Sequence, residues 1–101
     1  MKMYWVYILR CANGSYYTGY TDDLLKRYEA HKSGTGSKYT RSFKPTSIAQ
    51  CWEISGEKGL AMQVERQIKK MSREEKESVI RYPATLSNNS MVQPGVVPTD
   101  I

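Results

Sequence analysis

The sequence predicts an α/β fold: a small sandwich in which a three-stranded antiparallel sheet is flanked by helices, in the order ββα-β-αα. Three observations point there. Two strand-like runs flank an Asn13-Gly14 turn near the start of the chain. Residues 22–33 and 57–71 carry apolar side chains at helical spacing around one further strand-like run. The length of 101 residues leaves room for a single domain with one modest core.

Met3 to Cys11 (MYWVYILRC) is apolar at almost every position and rich in aromatic and β-branched residues. Such a run suits a central strand covered on both faces. Asn13-Gly14 is a strong hairpin signal, because both residues tolerate positive φ. Ser15 to Thr21 is the returning strand, and Gly19 inside it marks a bulge or a close approach by another group. The first helix is expected from a cap at Thr21 or Asp22 to about Lys32, ending near Gly34. Gly34 to Pro45 reads as a basic loop, and Ile48 to Ile54 as the third strand. A second helix spans Glu57 to Met71 on a stripe of Leu60, Val64, Ile68 and Met71. Ser72 and Glu75 then form a capping box for a short third helix, which Pro83 ends. The domain is therefore expected to be residues 1–82. Residues 83–101 are polar and aperiodic, and are expected to be a disordered tail that contributes nothing to stability.

Composition narrows the function classes. No stretch approaches the roughly 18 apolar residues of a membrane span, and the start of the chain does not read as a signal peptide. Two cysteines, Cys11 and Cys51, cannot staple a secreted scaffold, so a cytoplasmic location with reduced thiols is expected. One histidine and two distant cysteines argue against structural zinc. The net charge is +5, and from Pro83 onward there is no Lys or Arg, so the positive excess lies in the folded part. That favours a polyanionic partner.

Eight tyrosines stand against one phenylalanine, five of them between Tyr4 and Tyr20. This is either an amphipathic strand edge or a hydroxyl-lined cleft. Arg27 and His31 share a helix face at the rim of the core. Taken alone, such a histidine is more often a satisfied core residue than a reacting one. Glu65, taken alone, is an i,i+4 ion-pair partner of Lys69.

Taken together, Val6-Tyr7-Ile8, Tyr17-Thr18-Gly19, Arg27 with His31 on a helix, and Glu65 on a later helix resemble the GIY-YIG nuclease family. The likeness runs from about Tyr4 to Tyr82 and is nearest the small stand-alone, single-domain bacterial members. Both tripeptides are degenerate, WVY standing for GIY and YTG for YIG. The resemblance implies that Tyr7, Tyr17 and Gly19 are the motif residues and that Arg27 is the catalytic arginine. It places His31 near the scissile phosphate and makes Glu65 the ligand of Mg²⁺ or Mn²⁺. An asparagine that some members carry after the metal glutamate is missing between Arg66 and Tyr82, and Lys69 or Lys70 is the expected replacement.

The implied function is metal-dependent hydrolysis of DNA, with RNA also possible, by a monomeric enzyme. Tyr7 is the expected general base, its pKa lowered by nearby cations, with His31 assisting. Substrate contacts are expected from Lys38, Arg41 and Lys44, with Tyr39 and Phe43 stacking on bases, and from Lys69, Lys70 and Arg73. The rival reading is a catalytically weak or inactive nucleic-acid-binding module of the same fold.

The function constrains the hairpin. A two-residue turn pairs Tyr7 with Tyr20 and puts Tyr7 and Tyr17 on opposite faces. A three-residue loop with Gly14 left-handed pairs Leu9 with Tyr17 and Tyr7 with Gly19, so both tyrosines share a face. The bulged register is the one predicted.

Overall fold

The computed structural model describes residues 2–98. Strands β1 (Met3–Cys11) and β2 (Tyr16–Thr21) form the hairpin, followed by α1 (Leu24–Ser33) and the short α2 (Lys38–Ser42). Strand β3 (Pro45–Ser55), helices α3 (Lys58–Lys69) and α4 (Arg73–Arg81), a 3₁₀ turn at Pro83–Thr85 and strand β4 (Val92–Pro94) complete the chain. The antiparallel sheet has the order β2-β1-β3-β4, so the apolar β1 lies inside it, as its composition requires. No helix among the described residues is long and apolar enough to cross a membrane.

The register is the bulged one. Cys11 N–H donates to the Ser15 carbonyl at 2.9 Å, and Gly14 takes φ 82°. Leu9 pairs with Tyr17, and Tyr7 with Gly19. Alternation along β1 then divides the core in two. Val6 and Ile8 join Trp52 and Ile54 of β3 against Ala61, Val64 and Ile68 of α3 and Val79 of α4. On the other face Tyr7 and Leu9 join Cys51 and Ile48 against Leu24 and Tyr28 of α1.

Four details correct the sequence expectations. The first helix is capped by Asp23, not Thr21 or Asp22. Asp23 accepts from the Lys26 amide at 3.1 Å, while Thr21 Oγ1 receives the Asp23 amide at 3.1 Å. The basic loop contains α2, started by Ser37, whose side chain accepts from the Thr40 amide. The third strand is longer than Ile48–Ile54, running from Pro45 to Ser55.

The fourth correction concerns the sheet, which has four strands, not three. Residues 83–98, expected to be a disordered tail, pack on the domain. Val92 pairs with Ile54, and Leu86 and Val92 are buried in the α3-side core. Trp52 Nε1 donates to the Pro83 carbonyl at 2.9 Å, giving the buried indole the partner it needs. Three strand residues are too few to show a period, and Pro94 is tolerated because β4 is an edge. The rest of the expected tail, residues 99–101, lies outside the described residues.

Candidate active site

The cleft is built at the open edge of β2. Tyr7 reaches it from β1 across Gly19. A side chain at Gly19 would place Cβ against the Tyr7 hydroxyl and 2.7 Å from its Cζ. The missing side chain is thus what lets the phenol extend to the sheet edge. Arg27 comes from α1 on one side of that edge, and Glu65 from α3 on the other. Tyr7, Tyr17, Gly19, Arg27 and Glu65 line a cavity of about 430 Å³ together with Tyr4, Tyr20 and Lys58. Five of the six predicted centre residues therefore share one wall system.

The sixth does not open into it. His31 is fully buried behind Tyr7 and reaches the cleft only through the Tyr7 hydroxyl. Its Nε2 is 2.8 Å from the Tyr7 hydroxyl, and its Nδ1 is 2.7 Å from Thr40 Oγ1. The Tyr17 ring packs edge-on against the imidazole at 5.1 Å. Gly36 seats the loop on the same ring, since a Cβ there would fall 2.8 Å from His31 Cγ. The Gly36 carbonyl also accepts from Arg27 Nη2 at 3.0 Å. One loop thus fixes both the arginine and the histidine.

The hydrogen-bond network assigns the histidine tautomer. Thr40 Oγ1 has acceptors of its own in Ser37 Oγ at 2.9 Å and the Ser37 carbonyl at 3.4 Å. It is therefore free to accept a proton from His31 Nδ1. A phenol is a stronger donor than an alcohol, so Tyr7 O–H donates to a bare Nε2. The order Ser37–Thr40–His31–Tyr7 is then a consistent chain of donors and acceptors.

Electrostatics corrects one expectation, that nearby cations lower the Tyr7 pKa. Tyr7 is not acidified. Burial pushes its pKa up to about 12, and the pull of the Arg27 guanidinium in the other direction is too small to offset it. Burial also lowers the His31 pKa to about 4, with the Arg27 charge adding to the effect. Arg27 cannot favour a second cation beside it.

Glu65 is mostly buried along its side chain and meets Lys69 at 3.7 Å, a pair whose lysine is half exposed and which is worth little on its own. Among the described residues there is no cluster of three or more His, Cys, Asp or Glu side chains suited to a metal. A lone carboxylate suits Mg²⁺ or Mn²⁺, hard cations that retain water ligands.

The remaining predicted contacts divide. Lys69 lies beside Glu65 and lines a small pocket next to the cleft. Lys70 faces a different groove, shared with Asn89. Arg73 covers the Tyr16 ring at 4.6 Å and pairs with Glu77. Lys38, Arg41 and Lys44 are on or just after α2 and do not line the cleft. Sequence reasoning missed Lys58, whose ammonium lies 6.0 Å from the Tyr20 ring centroid in the cleft wall. It also missed Thr40 and Gly36. The run Gly34-Thr35-Gly36-Ser37 was the available signal, since glycines next to a helix end often admit a close neighbour.

A family model described as the GIY-YIG catalytic domain matches residues 3–78. A UPF0213 protein of Fusobacterium nucleatum is 42% identical over 80 residues, covering 79% of this chain and 79% of that protein. A UPF0213 protein of Halobacterium salinarum is 42% identical over 77 residues, 76% of this chain and 99% of that one. The solution NMR structure of a UPF0213 protein from Bacillus halodurans is 40% identical and matches with a TM-score of 0.52, over 79% of this chain and 84% of that one. The chain belongs to the GIY-YIG family, and its relatives are UPF0213 proteins.

Proposed function

We propose that this chain is a divalent-metal-dependent DNA nuclease that hydrolyses phosphodiester bonds in the β2-edge cleft. The observation that carries the reading is the convergence of Tyr7, Tyr17, Arg27 and Glu65 from β1, β2, α1 and α3 on one cavity. A domain that only bound nucleic acid would have no use for an isolated carboxylate in a tyrosine- and arginine-lined wall.

Hydrolysis needs a water relieved of its proton, a stabilised pentavalent phosphorus and a supported leaving oxygen. Glu65 would hold the cation, which supplies Lewis-acid stabilisation of the phosphate charge when bound. Arg27, tied to the Gly36 carbonyl, offers its remaining donors to the non-bridging oxygens as a planar fork. A donor aimed at such charge is typically worth about 10²–10³ in rate. Tyr7 would take the proton of the attacking water as its own passes to His31 Nε2. The imidazolium, disfavoured by burial and by Arg27, returns that proton through Tyr7 to solvent as product leaves. The pKa values of about 12 and about 4 leave neither group a base by itself. The resting site therefore holds a neutral phenol and a neutral imidazole.

The Glu65–Lys69 pair is the one observation that favours the binding-only alternative. Labelled single-stranded, duplex and branched DNA incubated with Mg²⁺, Mn²⁺ or chelator decides between them. Metal-dependent cutting by the wild type is expected. Glu65→Gln is expected to lower it at least about 100-fold while fold and DNA binding persist. Equal cutting by wild type and Glu65→Gln would leave Glu65 as an ion-pair partner only.

A further inference from the structure

Lys58 is the first residue of α3, where a cation is poorly placed. The helix dipole gives that end partial positive charge, which favours acids in the first turn and opposes a lysine. Nothing nearby offsets the conflict. The first turn of α3 holds no acid, and the N-cap residue Glu57 makes no capping bond with its side chain. Asp22 lines the same wall of the cleft but is already paired with Lys2 at 3.0 Å. Among the described residues Lys58 belongs to no ion pair, and its ammonium lies over the Tyr20 ring, 6.0 Å from the centroid.

A charge that opposes its own helix and has no acid to meet points to a partner outside the chain. Its position says which. Lys58 and Glu65 are two helical turns apart on one face of α3, and both line the cleft. They stand about 10 Å apart along the helix axis. The oxygens of one phosphate cannot span that distance, whereas neighbouring phosphates of one strand can. Arg27 faces the same cleft from α1, so a phosphate held by Arg27 and Glu65 leaves Lys58 to the next one along the strand. The lysine suits that task, being a point charge on a flexible stem that needs no fixed geometry.

We propose that Lys58 holds the phosphate next to the scissile one, so that the nucleic-acid strand crosses the cleft along the α3 face from Glu65 towards Lys58. This rests on the reading of the cleft as the hydrolytic site. Lys58 grips the strand equally before and during reaction, and takes no part in the chemistry. A weakened start to α3 is then the cost of a binding residue, of the kind that functional positions carry.

The test is fluorescence anisotropy of the full chain in chelator, where no cutting occurs, with a labelled thymidine 12-mer over a range of KCl concentrations. Loss of one phosphate contact lowers the slope of log K against log salt by about 0.7, or roughly fivefold in affinity at 0.1 M salt. Lys58→Ala is expected to show both changes while its Tm stays level or rises, because an opposing charge has left the helix end. Lys58→Arg should keep the wild-type affinity. Gly59→Ala controls for the helix itself. A Cβ at Gly59 meets nothing within 4 Å, so this change should raise Tm and leave binding as it was. In metal-dependent cutting, Lys58→Ala should raise KM about fivefold with kcat unchanged. A Lys58→Ala chain with the wild-type salt slope, or one whose affinity falls only in step with a lowered Tm, overturns the contact. Lys58-dependent binding in chelator without cutting in Mg²⁺ or Mn²⁺ keeps the contact and removes the nuclease. Cutting by Lys58→Ala with the wild-type KM does the reverse.

Discussion

Tyr7 and His31 share a buried hydrogen bond of 2.8 Å, although the pKa of one is about 12 and that of the other about 4. Both shifts have burial as their largest cause, acting on groups of opposite charge type. Burial disfavours tyrosinate, which raises the phenol, and disfavours imidazolium, which lowers the histidine. The pair is therefore held neutral over the whole physiological range, and its stability follows pH through the histidine alone.

The sign follows from proton counts. Between about pH 4 and 6.5 the unfolded chain binds a proton on His31 that the folded chain does not, so stability falls as pH is lowered through this window. The fall from 6.5 to about 4 amounts to roughly 3 kcal/mol at its limit, with about 2 kcal/mol of it lost by pH 5. Denaturant melts at pH 7, 6 and 5 are expected to show this loss. His31→Gln should flatten the dependence, because the chain has no other histidine. Parallel slopes in wild type and variant would mean that His31 takes up protons while folded.

Gly19 is the second test of how Tyr7 is held. A methyl group at this position would collide with the phenol, so Tyr7 must leave the cleft edge or the hairpin must spread. Gly19→Ala is expected to cost about 1–3 kcal/mol, as overpacking does. It should also reduce cutting beyond that of a site merely less populated by folded protein, which activity measured well below the melting temperature reveals. A variant with wild-type stability and rate would show that the ring does not need the space.

Much of this site was legible because function constrained local structure. The two-residue turn rule and the shared-face requirement for Tyr7 and Tyr17 conflict, and the conflict selects the bulged hairpin, in which Tyr7 pairs with Gly19. Helical spacing placed Glu65 and Arg27 only at the edges of apolar stripes, and it was the resemblance to the GIY-YIG family that singled them out. His31 was harder, because nothing in residues 24–33 says that a five-residue helix folds back over the ring. Thr40 supplies that cover, and α2 is too short to show periodicity. The closing strand was illegible for a similar reason. Val92 and Leu86 are isolated apolar residues in a polar stretch, and their burial depends on a sheet edge formed by β3, far away in sequence.

The closing segment gives the third prediction. Ending the chain at Tyr82 removes Leu86 and Val92 from the core, the Pro83 carbonyl from Trp52 Nε1, and the backbone pairing along β3. Loss of one such buried aliphatic side chain costs about 2–5 kcal/mol. At roughly 4–8 °C per kcal/mol for a domain of this size, a drop in Tm of at least about 10 °C is expected. A truncated chain melting with the full-length protein would show that Leu86 and Val92 contribute nothing.

The fourth prediction tests the relay through Thr40. The single imidazole makes its ¹⁵N NMR signals unambiguous. In the wild type, Nδ1 carries the proton and Nε2 accepts from Tyr7, because Thr40 Oγ1 has Ser37 to donate to and Tyr7 is the better donor. Thr40→Val keeps the shape and removes the acceptor. An Nδ1 proton would then be buried without a partner, at a cost of about 1–3 kcal/mol. The ring escapes that cost by moving the proton to Nε2, where it donates to the Tyr7 oxygen. The tautomer is therefore expected to switch, and with Nε2 occupied Tyr7 has nowhere to send its proton. Cutting should fall at least about tenfold, and Thr40→Ser should restore both tautomer and rate. An Nε2-protonated imidazole in the wild type, or one unchanged in Thr40→Val, would remove Thr40 from the mechanism and leave it as packing beneath the histidine.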